Sequence, residues 1–330
     1  MRLLVLGGSV FLGRAVVAAA LREGHEVVCL TRGESGEVPD GAAWVRGDRT
    51  HPDGLAEVRE AAWDAVVDVS LSPGQVRRSV AELSGVGHYV LVSSGSVYAD
   101  TASPGLAEDG PLLPPLDGDD MADTSEYGPA KVACEEAVAA AFPGRATIVR
   151  AGLIGGDGDV SGRSGWWPWR MAHPADEGGR VLVPVEPDLP VQLIDVEDLA
   201  AWIVHCARER VAGAYNAVGD PVPLATVLEA AQEAAGVQRE LVGVDGAWLL
   251  AHGVAPWSGP GSVPLWLDDP EWFGFTARSN AAAREEGLTL RPLVETLRAA
   301  LEFHEGSGGV PRSGLSDARE RELLALAATP

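Results

Sequence analysis

The sequence predicts an α/β protein built as a doubly wound parallel sheet, with a smaller C-terminal lobe. Three observations carry that expectation. Short apolar strands alternate with helically spaced segments as far as Ile154, a glycine-rich turn joins the first strand to the first helix, and the alternation stops after Ile154. At 330 residues the chain exceeds a common single domain, which leaves room for a second lobe.

Leu3 to Leu6 is a short apolar run ending in glycine, and Leu12 to Arg22 has helical spacing (Leu12, Val16, Val17, Ala20, Leu21) closed by Gly24. Glu26 to Leu30 and Ala43 to Val45 read as strands, Leu55 to Ala62 as a helix, Ala65 to Val69 as a strand and Gln75 to Leu83 as a helix. His88 to Val92 is a further strand, followed by a long acidic loop, a helix over Lys131 to Ala141 and a strand from Ala146 to Ile154. Strands apolar on both faces and separated by helices require a parallel sheet with right-handed crossovers. Residues 1–154 are therefore expected to form a dinucleotide-binding unit, with 190–215 returning to it as the strand Val191 to Val196 and the helix Asp198 to Arg208. Residues 155–189 and 216–305 make up the substrate lobe, which holds the helix Leu224 to Ala235 and most of the tryptophans. Residues 306–330 read as a Gly/Ser linker and an amphipathic tail helix, packed on the body or on a second subunit, so a monomer or a homodimer is expected.

Hydrophobic residues make up 46% of the chain, yet charge, glycine or proline interrupts every apolar run before a bilayer-spanning length, so no membrane partner is expected. The apolar stretch at the N-terminus is too short for a signal peptide, which points to the cytoplasm. Cys29, Cys134 and Cys206 lack metal-ligand spacing and read as buried thiols, with no metal site. A net charge of −23 would repel a phosphate backbone; the expected partner is a small-molecule substrate and not a nucleic acid.

Gly7-Gly8-Ser9-Val10-Phe11-Leu12-Gly13 lies where a dinucleotide pyrophosphate would meet backbone N–H groups and the positive end of a helix. Gly7, Ser9, Val10, Phe11, Leu12 and Gly13 are accordingly the expected cradle, although the side chain at Val10 restricts how closely the backbone can approach phosphate. The second strand ends in Leu30-Thr31-Arg32-Gly33 without the acid that reads a free ribose hydroxyl. Arg32 can instead hold a 2′-phosphate, which favours NADP, with NAD as the alternative. Asp48 is placed to meet the adenine amino group, and Val69 and Ser70 end the fourth strand alongside the cofactor.

Tyr127-Gly128-Pro129-Ala130-Lys131 places a phenol and the chain's one lysine four residues apart at a helix start, where a cation can lower the pKa of the phenol. Tyr127 is then a usable general acid or base. Ser94, at the end of the fifth strand, is placed to hydrogen-bond a substrate oxygen. Trp166, Trp167 and Trp169 suggest a flat apolar substrate surface, and Arg163, Arg170, Arg278 and Arg291 are the lobe arginines that a sugar diphosphate would need.

These motifs, together with Asp195-Val-Glu-Asp198-Leu-Ala200 and Tyr215-Asn-Ala-Val-Gly219, resemble the NAD(P)-dependent epimerase/dehydratase family, the extended to atypical branch of the short-chain dehydrogenase/reductases. The resemblance implies a Rossmann fold, a C-terminal substrate lobe and a Ser–Tyr–Lys triad around nicotinamide. Ser94 would orient the reacting oxygen, Tyr127 shuttle the proton, and Lys131 bind the nicotinamide ribose and tune Tyr127. The family's dehydratases carry an Asp-Glu pair where Gly95 and Ser96 stand, which disfavours dehydration, and Ala151 replaces a frequent proline. The expected activity is an NADP-dependent ketoreductase or alcohol dehydrogenase of specialised metabolism. A nucleotide-sugar epimerase using the same triad is the alternative; a non-catalytic NAD(P)- or RNA-binding protein is the alternative from another class.

Overall fold

A computed structural model describes residues 1–186, 189–307 and 309–328. The first half alternates as expected: β1 (Arg2–Leu6), α1 (Phe11–Arg22), β2 (Glu26–Thr31), β3 (Ala43–Arg46), β4 (Ala65–Asp68), α2 (Pro73–Glu82), β5 (His88–Ser94), α3 (Tyr127–Ala141) and β6 (Ala146–Ala151). There follow β7 (Leu153–Gly155), α4 (Trp166–Ala172), β8 (Val181–Pro184), β9 (Pro190–Val191), β10 (Leu193–Asp195), α5 (Val196–Glu209) and β11 (Gly213–Ala217). The remainder comprises β12 (Val222–Pro223), α6 (Leu224–Ala235), β13 (Leu241–Val244), α7 (Gly246–Ala251), β14 (Ala255–Trp257), β15 (Ser262–Pro264), α8 (Ala281–Glu285), α9 (Leu293–Ser307) and α10 (Asp317–Ala327).

Seven strands form the main parallel sheet in the order β11-β6-β5-β4-β1-β2-β3. Alternation along β1 shows why both faces must be covered. Leu3 and Val5 join Val16 of α1 and Ile203 of α5 on one side, while Leu4 and Leu6 join Val76 of α2 and Val138 of α3 on the other. The chain reverses its winding between β1 and β4, and the strand ends there open into a crevice, the usual ligand position of such sheets.

Three expectations change in detail. Residues 55–62 are a run of turns, not a helix: Val58 N–H donates to Leu55 O and Ala61 N–H to Val58 O, and the Val58 carbonyl is also taken by the Trp63 indole. Buried Leu55 and Val58 anchor the segment without a continuous helical ladder. The strand expected over 146–154 breaks at Gly152, after which β7 leaves the main sheet and pairs with β10. The segment 191–196 thus extends a small two-stranded sheet, and the parts of 190–215 that reach the main sheet are α5, packed on α1, and the start of β11.

The lobe has its own core, in which Trp166, Trp167, Trp266, Met171, Leu249 and Leu297 pack together. The tail helix α10 closes that core with Leu323 and Leu324, and its Glu320 pairs with Arg170 at 2.8 Å, both side chains being 1% exposed. Burial pushes the Glu320 carboxyl up, and Arg170 opposes the shift. The linker ahead of α10 is fastened as well: Ser313 Oγ donates to Ser161 O at 2.8 Å, and a side chain at Gly314 would lie 2.1 Å from the Trp166 ring. Gly308 of the expected linker, Pro187 and Asp188 of the expected lobe, and the two terminal residues lie outside the described residues. Among the described residues no helix is long and apolar enough to cross a membrane, and no group of three or more potential ligand side chains could hold a metal ion.

Candidate active site

Gly7, Ser9, Val10, Arg32, Asp48, Val69 and Ser70 line one cleft of about 370 Å³ at the strand ends of β1, β2 and β4. The first turn is glycine-built for steric reasons. Gly7 adopts φ +105°, and a Cβ on Gly13 would lie 2.1 Å from the Gly7 carbonyl oxygen, so α1 approaches the strand end as closely as backbone allows. No side chain caps the N-terminus of α1, which leaves its first N–H groups for an anionic ligand. A dinucleotide's pyrophosphate fits this cradle. Val10 lies half-exposed at the rim with an extended backbone and narrows the cleft without filling it. Leu12 faces away into the sheet core, and Phe11, whose backbone is left-handed at φ 36°, lines the neighbouring cavity instead.

Arg32 is exposed on the cleft wall, 3.5 Å from Glu34. Asp48 Oδ1 accepts bonds from Thr50 N and Thr50 Oγ1, which hold its carboxyl below the usual range. Beneath the cleft Asp68 is fully buried, receiving Arg49 at 2.9 Å, Tyr89 Oη at 2.7 Å and Ser70 N at 2.9 Å, and this network fixes the end of β4.

A second cavity, of about 710 Å³, adjoins the cleft, and Leu71 lines both. Ser94 and Tyr127 both line it. Local sequence places them there. Asp123 caps the turn over Thr124–Glu126 that leads into α3, and Gly128 lets α3 press on the turn after β5, where a Cβ would fall 2.4 Å from Ser96 O. Ser94 also caps that turn, its Oγ accepting from Ser96 N at 3.1 Å. Burial raises the Tyr127 phenol, while Ser94 and the Arg163 guanidinium pull it down. Lys131, 1% exposed, donates to Ser70 O at 2.6 Å and Val92 O at 2.7 Å, tying the end of β5 to the residues after β4. Burial pushes the Lys131 ammonium itself down.

The tryptophans divide differently from the expectation. Trp166 and Trp167 are buried in the lobe core, and Trp169 packs on His173 and His304. The cavity is walled by Trp257 and Phe275, 5.9 Å apart and edge to face, together with Met121, Thr124 and Arg163. Their one signal in the sequence is an aromatic beside the turn-rich Ser258-Gly259-Pro260-Gly261. Of the four candidate arginines only Arg163 lines the cavity. Arg170 pairs with Glu320 and Asp317, Arg278 stacks on Tyr98, and Arg291 pairs with Asp195, Glu197 and Asp198.

Comparison with known proteins agrees with this geometry. Residues 3–84 match the model of the NAD dependent epimerase/dehydratase family. The chain is 30% identical over 291 residues to the 2′-dehydrokanamycin reductase of Streptomyces kanamyceticus, covering 84% of this chain and 75% of that protein. The chain belongs to the NAD dependent epimerase/dehydratase family. It is an NAD(P)-dependent enzyme of the extended short-chain dehydrogenase/reductase type. Solved structures of the family share its fold: the UDP-N-acetylglucosamine 4-epimerase from Bacillus cereus superposes with a TM-score of 0.69 at 17% identity, over 94% of this chain and 99% of that one. The Thermus thermophilus UDP-glucose 4-epimerase in complex with NAD gives 0.61 at 20% identity, over 93% and 100%.

Proposed function

We propose that this family member is an NADPH-dependent ketoreductase, reducing a ring ketone of a sugar or aminosugar. The observation that carries the reading is that Ser94 and Tyr127 line one cavity together, and that this cavity continues the cleft at the strand ends through Leu71. The cofactor, when bound, supplies the hydride. Ser94 orients the carbonyl oxygen through its hydroxyl, and Tyr127 donates the proton that turns that oxygen into an alcohol. Lys131 has three donors, two of them committed to Ser70 O and Val92 O, which leaves one for a ribose hydroxyl. Arg32, with no acid at the end of β2 to read a free ribose hydroxyl, supports the 2′-phosphorylated cofactor.

The reductase named among the relatives acts on a dehydrokanamycin, an aminosugar ketone, and a protein of charge −23 attracts cationic substrates. The same charge, and a cavity lined by a single arginine, Arg163, disfavour a sugar diphosphate and hence the epimerase alternative. Glycine and serine at 95 and 96 leave no acid pair for dehydration. The test is turnover of NADPH with a panel of aminosugar and sugar ketones by wild type and Tyr127→Phe. A loss on the order of 100- to 10,000-fold in the variant, with unchanged NADPH affinity, is expected. Full activity in Tyr127→Phe, or epimerised sugar nucleotide without net NADPH consumption, would reject the reading.

A further inference from the structure

One wall of the cavity that holds Ser94 and Tyr127 is assembled from two loops far apart in sequence. The loop after β7 brings Ser161 and Arg163, and Trp257 stands at the end of β14, where the next turn begins. We propose that Ser313, which does not itself line the cavity, is a positioning residue that sets the spacing between these two loops and so decides the fit of the ring lying against Arg163 and Trp257. The proposal rests on the reading of that cavity as a substrate site.

One buried hydroxyl joins the loops. Ser313 is 4% exposed, and its Oγ donates to Ser161 O at 2.8 Å and accepts from Gly259 N at 3.0 Å. A hydroxyl can donate and accept at once, so it can bridge a carbonyl on one loop and an N–H on the other. Ser161 stands two residues before Arg163 and its own Oγ accepts from Arg163 Nε at 3.2 Å; Gly259 stands two residues after Trp257. Arg163 Cζ is then held 5.7 Å from the centre of the Trp257 ring, so a cation and an aromatic line the cavity side by side. The backbone beside Ser313 closes the clasp: Gly314 N donates to Gly259 O at 3.1 Å, and Gly261 N to Gly314 O at 2.9 Å. On the other loop, a side chain at Gly162 would fall 2.7 Å from Pro311 Cβ. Trp257 itself has a left-handed backbone, φ 69°, which a bulky residue keeps only where its surroundings over-determine it. Its N–H donates to Trp266 O at 2.9 Å, and the clasp holds the turn that follows. Leu323 and Leu324 of α10 anchor the segment to the lobe core, which ties the tail to substrate fit.

The test is Ser313→Ala in the full chain, with NADPH and the ketone that wild type turns over best. KM should rise on the order of tenfold, with kcat and NADPH affinity within about twofold of wild type. Added to Trp257→Ala, the same change should raise KM by less than about threefold, because the wall it positions is already gone. Ser313→Thr, which keeps the hydroxyl, should stay closer to wild type than Ser313→Ala. In protein labelled with fluorotryptophan, the fluorine NMR signal of Trp257 should shift or broaden in Ser313→Ala while that of Trp167 stays, each assigned by its loss on substitution with phenylalanine. An unmoved Trp257 signal, an unchanged KM, or an effect of the same size repeated in the Trp257→Ala background would overturn the proposal. Should Ser313→Ala fail to fold, Ser313→Cys against Ser313→Thr gives the same contrast. The fluorine signal needs no substrate, so a signal that moves in a protein reducing no ketone would reject the ketoreductase reading and leave the clasp between the loops standing.

Discussion

The cleft at the strand ends and the neighbouring cavity share Leu71 but are made of different materials. The cleft is largely backbone: a glycine turn, an uncapped helix end and three strand ends, with side chains such as Arg32 and Asp48 added at the rim. The cavity is largely side chain, drawn from the first turn of α1, the end of β5, the acidic loop, the start of α3, the loop after β7, and two aromatics that arrive a hundred residues later. A backbone site leaves a local mark in sequence because only glycine permits the close approaches. The apolar walls of a side-chain site leave none, since any large apolar residue brought to that place by the fold would serve.

The strongest challenge to this contrast is Gly13→Val. If the cleft depends on contact between α1 and the Gly7 carbonyl, the variant should show no measurable NADPH binding by fluorescence titration and a lower melting temperature. Retained binding would mean that the first turn can yield. Next come two tryptophans that composition alone does not tell apart. Trp167→Ala empties part of the lobe core and should cost about 3–5 kcal/mol in denaturant unfolding, with NADPH affinity kept. Trp257→Ala should cost about 1 kcal/mol and instead raise KM on the order of tenfold. Equal effects on stability would erase the distinction between core and cavity wall. The smallest expected change is at the rim of the cleft: Arg32→Ala should weaken NADPH roughly 3- to 10-fold and leave NADH within about twofold, measured by titration of both. Equal losses for the two cofactors would remove the 2′-phosphate role.

Pattern in the sequence was strongest where strands and helices are regular. Each strand of the first half lies within two residues of its apolar run or, at 146–154, is cut at Gly152, because β6 must end where the chain departs towards the lobe. The segment 55–62 misled because two buried anchors three residues apart satisfy a helical pattern and a run of turns equally. Tyr127 and Lys131 were visible through their spacing, but spacing on a helix does not decide where each head group goes. The Lys131 stem runs into the sheet and its ammonium is held by two strand-end carbonyls, whereas Tyr127 stays with Ser94 at the cavity.

By itself the sequence determined the doubly wound sheet and the glycine turn at its switch point, since each depends on contacts within a few residues of chain or on the close approach that only glycine permits. Only the tertiary structure decided that Arg163, Trp257 and Phe275 line one cavity with Tyr127 while Trp166 and Trp167 are buried in the lobe core. That choice depends on packing between segments far apart in the chain, which no local pattern encodes.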